Sequence, residues 1–336
     1  MFGAFRKQPE AARVYSEGPE YCSENKMAAV SRGGGIQRVL QKLNKSIEEG
    51  NYYEAHQMIR TLYFRYTSQK KYQDAIELLH NGTLLFFKYK QMGSGTDLAM
   101  LMLDCLKAGK DTIDSECLQK IISIFKAFDP EADTDRQEFI QKALRITADK
   151  DPSQKFGSTD LHHMCARIYW QEKNYGESRY HFLYTQDGFQ CASMLVEFAT
   201  TKGFKSEQDL FVTQTVLQYL CLQNSSTASI VFFKFTNKHP DFSGPPFQQP
   251  LLNFVWLLLM AIERQGPLSM FTVLCEKYQP SIERDPTYKQ YLDRIAQLFF
   301  GLPPPQPTGL QGIMGDLVQS LFNDTPQAEL EGEDVD

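Results

Sequence analysis

Glu48-Glu-Gly-Asn-Tyr-Tyr-Glu-Ala55 returns in outline at Ser68-Gln-Lys-Lys-Tyr-Gln-Asp-Ala75 and again at Gln171-Glu-Lys-Asn-Tyr-Gly-Glu-Ser178. The shared form is a polar turn, a tyrosine, any residue, an acid and a small residue. Each part has a physical use at a corner between two helices. The tyrosine packs under the turn. The acid falls in the first turn of the next helix, where free backbone N–H groups favour negative charge. The small residue lets a paired helix approach closely. Repetition of such a corner is the mark of stacked helical pairs.

The flanking sequence agrees. Ile36, Val39, Leu40, Leu43 and Ile47 stand at offsets 0, 3, 4, 7 and 11, the spacing of an amphipathic helix that Gly50-Asn51 ends. Helices are expected over Tyr52–Ser68 and Tyr72–His80, with similar pieces as far as Phe300. Asp129-Pro130, Asp151-Pro152 and Asp285-Pro286 each read as a capping carboxylate before a proline at a helix start. Ser229–Phe235 and Phe271–Cys275 are rich in β-branched and aromatic residues and would suit strands, but their helical neighbours argue otherwise. The expected class is all-α: an α-solenoid of degenerate tetratricopeptide-like pairs, roughly 13–15 helices. The turn resembles that of tetratricopeptide repeats, although their full consensus is missing.

Residues 1–35 are polar, end in Gly33-Gly34-Gly35, and read as a flexible arm before a solenoid over 36–302. Pro303-Pro-Pro-Gln-Pro307 opens a linker over 303–309. Leu310, Ile313, Met314, Leu317, Val318, Leu321 and Phe322 then form an apolar stripe, expected as a terminal helix over 310–322 that either caps the array or binds a partner. The tail over 323–336 holds six acids and no base and is expected to be disordered. That tail accounts for the whole net charge of −6, since the rest carries 35 acids against 35 bases. A strongly basic nucleic-acid binder is therefore disfavoured. The longest apolar run, Leu251–Ile262, is too short to span a bilayer and reads as a buried helix. The seven cysteines are scattered without a CxxC pair, as in a reducing compartment, and a cytosolic location is expected.

Signatures of phosphate loops, dinucleotide turns, zinc proteases and serine hydrolases are missing. His162-His163-x-Cys165 is the one metal-like spacing; on a helix His162 and Cys165 share a face while His163 points elsewhere, too few ligands for a structural zinc. No catalytic residue, metal or cofactor is expected. Two segments suit protein contacts instead. Arg38, Lys42 and Lys45 line the polar face of the first helix, a stripe that could steer an acidic partner. His239-Pro-Asp-Phe-Ser-Gly-Pro-Pro-Phe-Gln-Gln-Pro250 is too long for a solenoid turn, and Phe242 and Phe247 need a hydrophobic seat, either their own core or another chain. Gln91-Met-Gly-Ser-Gly-Thr-Asp-Leu98 is expected as a glycine-rich turn with Thr96 or Asp97 near a helix cap.

GNYYEAHQMIRTLYFRY (50–66), QMGSGTDL (91–98), NYGESRYHFL (174–183), SMLVEFATTKGF (193–204), PFQQPLLNFVWLLL (246–259) and RIAQLFFG (294–301) together carry a resemblance. They are similar to the family of cytosolic scaffold subunits of the guided entry of tail-anchored proteins pathway, the fourth Golgi-to-ER traffic proteins. The resemblance runs from about Ile36 to Phe322. It implies an α-solenoid without enzymatic activity. It also implies a bridge between a targeting ATPase, which carries tail-anchored membrane proteins, and a ubiquitin-like adaptor with a BAG-domain cochaperone, without nucleic acid or membrane insertion. The ATPase side falls on Arg38, Lys42 and Asp97, and the adaptor and cochaperone side on Phe242, Phe247, Leu251, Leu252, Phe254 and Trp256. The rival reading is a helical-repeat chaperone that binds apolar client segments directly.

Overall fold

The computed structural model describes residues 34–109, 113–130 and 133–303. Residues 1–33 of the expected arm, most of the proline linker, the 310–322 stripe and the acidic tail lie outside the described residues, and Gly34 and Gly35, expected in the arm, open the first helix. Fifteen helices and no strand occur among the described residues: α1 Gly34–Glu48, α2 Tyr52–Ser68, α3 Tyr72–Lys88, α4 Met92–Ala108, α5 Ser115–Ala127, α6 Asp133–Lys150, α7 Thr159–Gln171, α8 Tyr175–Phe182, α9 Gly188–Lys202, α10 Gln208–Cys221, α11 Ser225–Lys238, α12 Pro250–Glu263, α13 Leu268–Lys277, α14 Gln279–Ile282 and α15 Thr287–Phe299. They divide into two compact units, the first ending at Leu78 and the second beginning at Leu79, within α3.

The corner motif is a backbone device. Gly50, Lys70, Lys90, Lys173 and Gln223 all sit in the left-handed region, with φ of 81°, 57°, 58°, 64° and 60°. Behind each, the next N–H reaches back to the final turn of the helix: Asn51 to Ser46 O, Lys71 to Tyr66 O, Gln91 to Phe86 O, Asn174 to Tyr169 O and Asn224 to Tyr219 O, all 2.8–2.9 Å. This is the Schellman closure, which satisfies carbonyls that the helix end leaves bare. The following helix starts two residues after the left-handed one, and its fourth residue is small and buried: Ala55, Ala75, Gly95, Ser178 and Ala228. Sequence reading finds three of the five corners. Met92 and Ser225 replace tyrosine in the other two, yet the backbone is the same.

Several expected boundaries move. α3 runs on to Lys88, because Gly82 and Thr83 are buried and Phe86 and Phe87 continue the apolar face. Asp151-Pro152 starts no helix. Asp151 instead closes a turn, accepting from Ser153 N (3.0 Å) and Gln154 Nε2 (2.7 Å), and Ser158 caps α7. Asp285 does cap: its carboxylate accepts from Thr287 N at 2.9 Å at the start of α15. The glycine-rich segment is helix from Met92 onward, with Gln91 at the N-cap, so Thr96 and Asp97 lie inside α4 and not at its cap. Both strand-like stretches are helical, within α11 and α13. Val231, Phe232 and Phe235 all fall on the buried side of α11, and packing overrides their β propensity.

In the second unit, long polar side chains tie successive helices. Arg136 on α6 is 1% exposed. Its Nη1 and Nη2 donate to Glu172 at the end of α7 (2.8 and 2.7 Å), and its Nε donates to the Phe125 carbonyl of α5 (3.2 Å). The guanidinium also lies 4.1 Å from the Phe125 ring centre and 5.1 Å from that of Tyr169. Farther along, Arg284 pairs with Asp209 of α10 through two bonds of 2.6 and 3.0 Å. An apolar core drawn from α7 to α15 fills the space between.

Candidate interaction surfaces

α1 is two-faced by construction. Leu43 and Ile47 are buried, and Arg38, Lys42 and Lys45 are exposed on the other side. Lys45 leans toward Glu49 at 3.8 Å, while Arg38 and Lys42 stand one turn apart on the same strip. Both belong to the first unit. Asp97 belongs to the second, on α4, half-buried beside Thr96, whose hydroxyl reaches Asp135 at 3.5 Å.

The long loop between α11 and α12 folds onto its own chain. Phe242 and Phe247 are 8% and 6% exposed. The His239 ring stacks on Phe242 (centroids 4.3 Å apart), and Phe247 meets Phe232 edge-on at 5.7 Å. Asn253 of α12 clamps Phe247 from both sides: Phe247 N donates to Asn253 Oδ1 (2.8 Å), and Asn253 Nδ2 donates to Phe247 O (2.7 Å). Leu251, Leu252 and Phe254 are fully buried in the same core, and Trp256 is half-buried. Of the two seats open to these rings, their own core and another chain, they take their own core. What the loop presents outward is Asp241, Ser243, Pro245, Pro246 and Gln248, all exposed.

The histidine cluster is structural packing. His162 is buried, its Nε2 3.1 Å from Phe156 O and its Nδ1 2.9 Å from Nδ1 of His181. Burial lowers His162 to about 4 and holds His181 well below the usual imidazole range. His163 faces the other way, 3.2 Å from Asp187. Burial pushes the Cys165 thiol far above its ordinary range, which leaves it poorly nucleophilic. Among the described residues no group of three or more His, Cys, Asp or Glu could hold a metal ion. No described helix is long and apolar enough to cross a membrane.

Two exposed apolar spots escape sequence reading. Phe189 on α9 is 52% exposed with Lys234 Nζ of α11 4.0 Å over its ring, and Ile230 and Phe233 of α11 are exposed as well. Met270 and Val273 of α13 are about half exposed as well, at 49% and 52%. Both spots lie on helices whose apolar residues surround the axis, so periodicity alone cannot say which ones stay outside.

Residues 69–322 match the family model described as Golgi to ER traffic protein 4. The chain is 48% identical to Golgi to ER traffic protein 4 homolog A of Xenopus laevis over 322 residues, 96% of each chain. It is 50% identical to the Homo sapiens homolog over 297 residues, 88% of this chain and 90% of the relative.

The chain belongs to the Golgi to ER traffic protein 4 family.

A Golgi to ER traffic protein 4 homolog of Bos taurus is 51% identical over 302 residues, 90% of this chain and 91% of the relative. Among solved structures, the crystal structure of C. therm. Get4 superposes with a TM-score of 0.70 over 90% of this chain and 99% of that one, at 24% identity. At that identity the likeness speaks for the fold, and the fold is the helical solenoid expected of a Golgi to ER traffic protein 4.

Proposed function

We propose that the chain is a non-catalytic cytosolic scaffold for the delivery of tail-anchored proteins to the ER membrane. It joins a targeting ATPase to a ubiquitin-like adaptor and a BAG-domain cochaperone, and it keeps that complex in the cytosol. The observation that carries this reading is membership of the Golgi to ER traffic protein 4 family across nine-tenths of the chain. The ATPase contacts are Arg38 and Lys42 on the first unit and, taken by itself, Asp97 on the second. The exposed guanidinium and ammonium groups speed encounter with an acidic surface, an effect that salt screens. The adaptor and cochaperone site is the 239–250 loop with α12. There Phe242, Phe247, Leu251, Leu252 and Phe254 act from inside as supports, and Trp256 and the loop's outer residues make the contact. A preshaped loop gives up little conformational entropy on binding.

Replacing Arg38 and Lys42 together with Glu tests the first site. ATPase binding measured at low salt should weaken at least about tenfold, with the helical content unchanged. Unaltered binding would remove the site. A second reading, direct binding of apolar client segments, is favoured by the exposed Phe189, Ile230 and Phe233. Crosslinking of a tail-anchored client to the isolated chain, lost on Phe189→Asp, would establish it in place of the scaffold.

A further inference from the structure

We propose that residues 310–322 of this chain dock on the outward face of α13, over Met270 and Val273, and close the end of the helical array. A stack of helical pairs leaves its last pair without a neighbour, and such ends need a cover. Here the need is local. α15 does not continue the stack. It returns to α10, where Gln218 Nε2 donates to Tyr291 Oη (3.2 Å) and Tyr288 Oη donates to the Leu210 carbonyl (3.3 Å). α13 stands largely open on one side, held from within by Phe271, with Met270 and Val273 on the exposed side.

The chain leaves the described residues beside α13, on the buried side of that helix. Phe300, just past α15, packs on Phe271 with ring centres 4.7 Å apart, and Leu302 lies against the core. Residues 304–309 then precede Leu310. Extended as polyproline they reach about 19 Å, more than the ~15 Å length of a ten-residue helix. Every position on α13 is therefore within range of the stripe. A short tether holds its end at an effective concentration near millimolar, which favours the chain's own segment over a second copy. The family match supplies a separate argument. It ends at Phe322, the last residue of the stripe, so the apolar segment falls within the shared region while the acidic residues after it do not. Seven apolar side chains on one strip need a surface to cover. The inference stands apart from the partner assignments above.

The test is amide exchange of residues 310–322 in the full-length chain. In the wild type, exchange should be slowed about tenfold against an unstructured chain, independent of protein concentration. Val273→Asp should return it to within about twofold of the free rate, and Leu317→Asp should speed exchange of α13 to a similar degree. Met270→Lys serves as the second seat variant should Val273→Asp disturb the helix content, and Phe189→Asp, on another face, should change nothing. Unslowed exchange in the wild type would overturn the proposal. So would slowing that survives both seat variants, or that grows with concentration alongside dimer formation.

Discussion

At Gly95, α4 leaves no room for a side chain against Phe87 of α3. A Cβ added there would lie 2.4 Å from the Phe87 ring, and that ring is itself wedged against Phe128. Gly95→Ala should lower the unfolding free energy by about 1–3 kcal/mol in urea titration, despite the better helix propensity of alanine. A neutral or stabilising result would mean that the ring can move aside. The His162–His181 pair makes a second prediction. His162 is lowered to about 4 when folded, against about 6.5 for a free imidazole. As pH falls below about 6.5 the unfolded chain takes up a proton that the folded chain refuses, so stability falls down to about pH 4. Between pH 7 and pH 5 this one group should cost roughly 2 kcal/mol, read from urea unfolding at the two values. In His162→Gln the loss should be visibly shallower; an equal loss would place the pH dependence elsewhere. The sequence could show His162 on a helix with Cys165. It could not show that the imidazole's partner would be His181, because α7 and α8 meet only in the folded chain.

At the scale of the element, Arg136 is the tie most open to test. Arg136→Lys keeps the charge but loses the paired bonds to Glu172 and the flat stacking on Phe125. The cost should be about 2–3 kcal/mol in urea titration, below that of breaking a fully buried pair because Glu172 still reaches water. A loss under half that size would assign α5–α7 stability to apolar packing alone. Helices themselves were largely legible in the sequence, since their apolar spacing and polar corners are local. Local signals mislead where the fold overrules them. Asp151 looks like a cap but spends its carboxylate on Ser153 and Gln154. Gly93 and Gly95 look like a turn but lie inside α4, where Gly95 admits the Phe87 ring of α3. The loop phenylalanines showed the same limit: the pattern called for an apolar seat, and only the folded core says that Phe232, Phe235 and Asn253 provide it.

For the whole molecule, the family and the helical class follow from sequence, whereas the outward-facing surfaces do not. Phe189 and Val273 are exposed because of how neighbouring helices stack, a fact with no local signature. The scaffold reading requires that the two kinds of partner be held at once by one chain. Its salt response should be uneven: a contact made through Arg38 and Lys42 weakens as salt rises, while one made on the 239–250 loop and Trp256 persists. The direct measurement is light scattering of the purified chain mixed with the targeting ATPase and the BAG-domain cochaperone. One species containing all three is expected, which loses the ATPase first as salt is raised. Mutually exclusive complexes, each partner displacing the other, would contradict it.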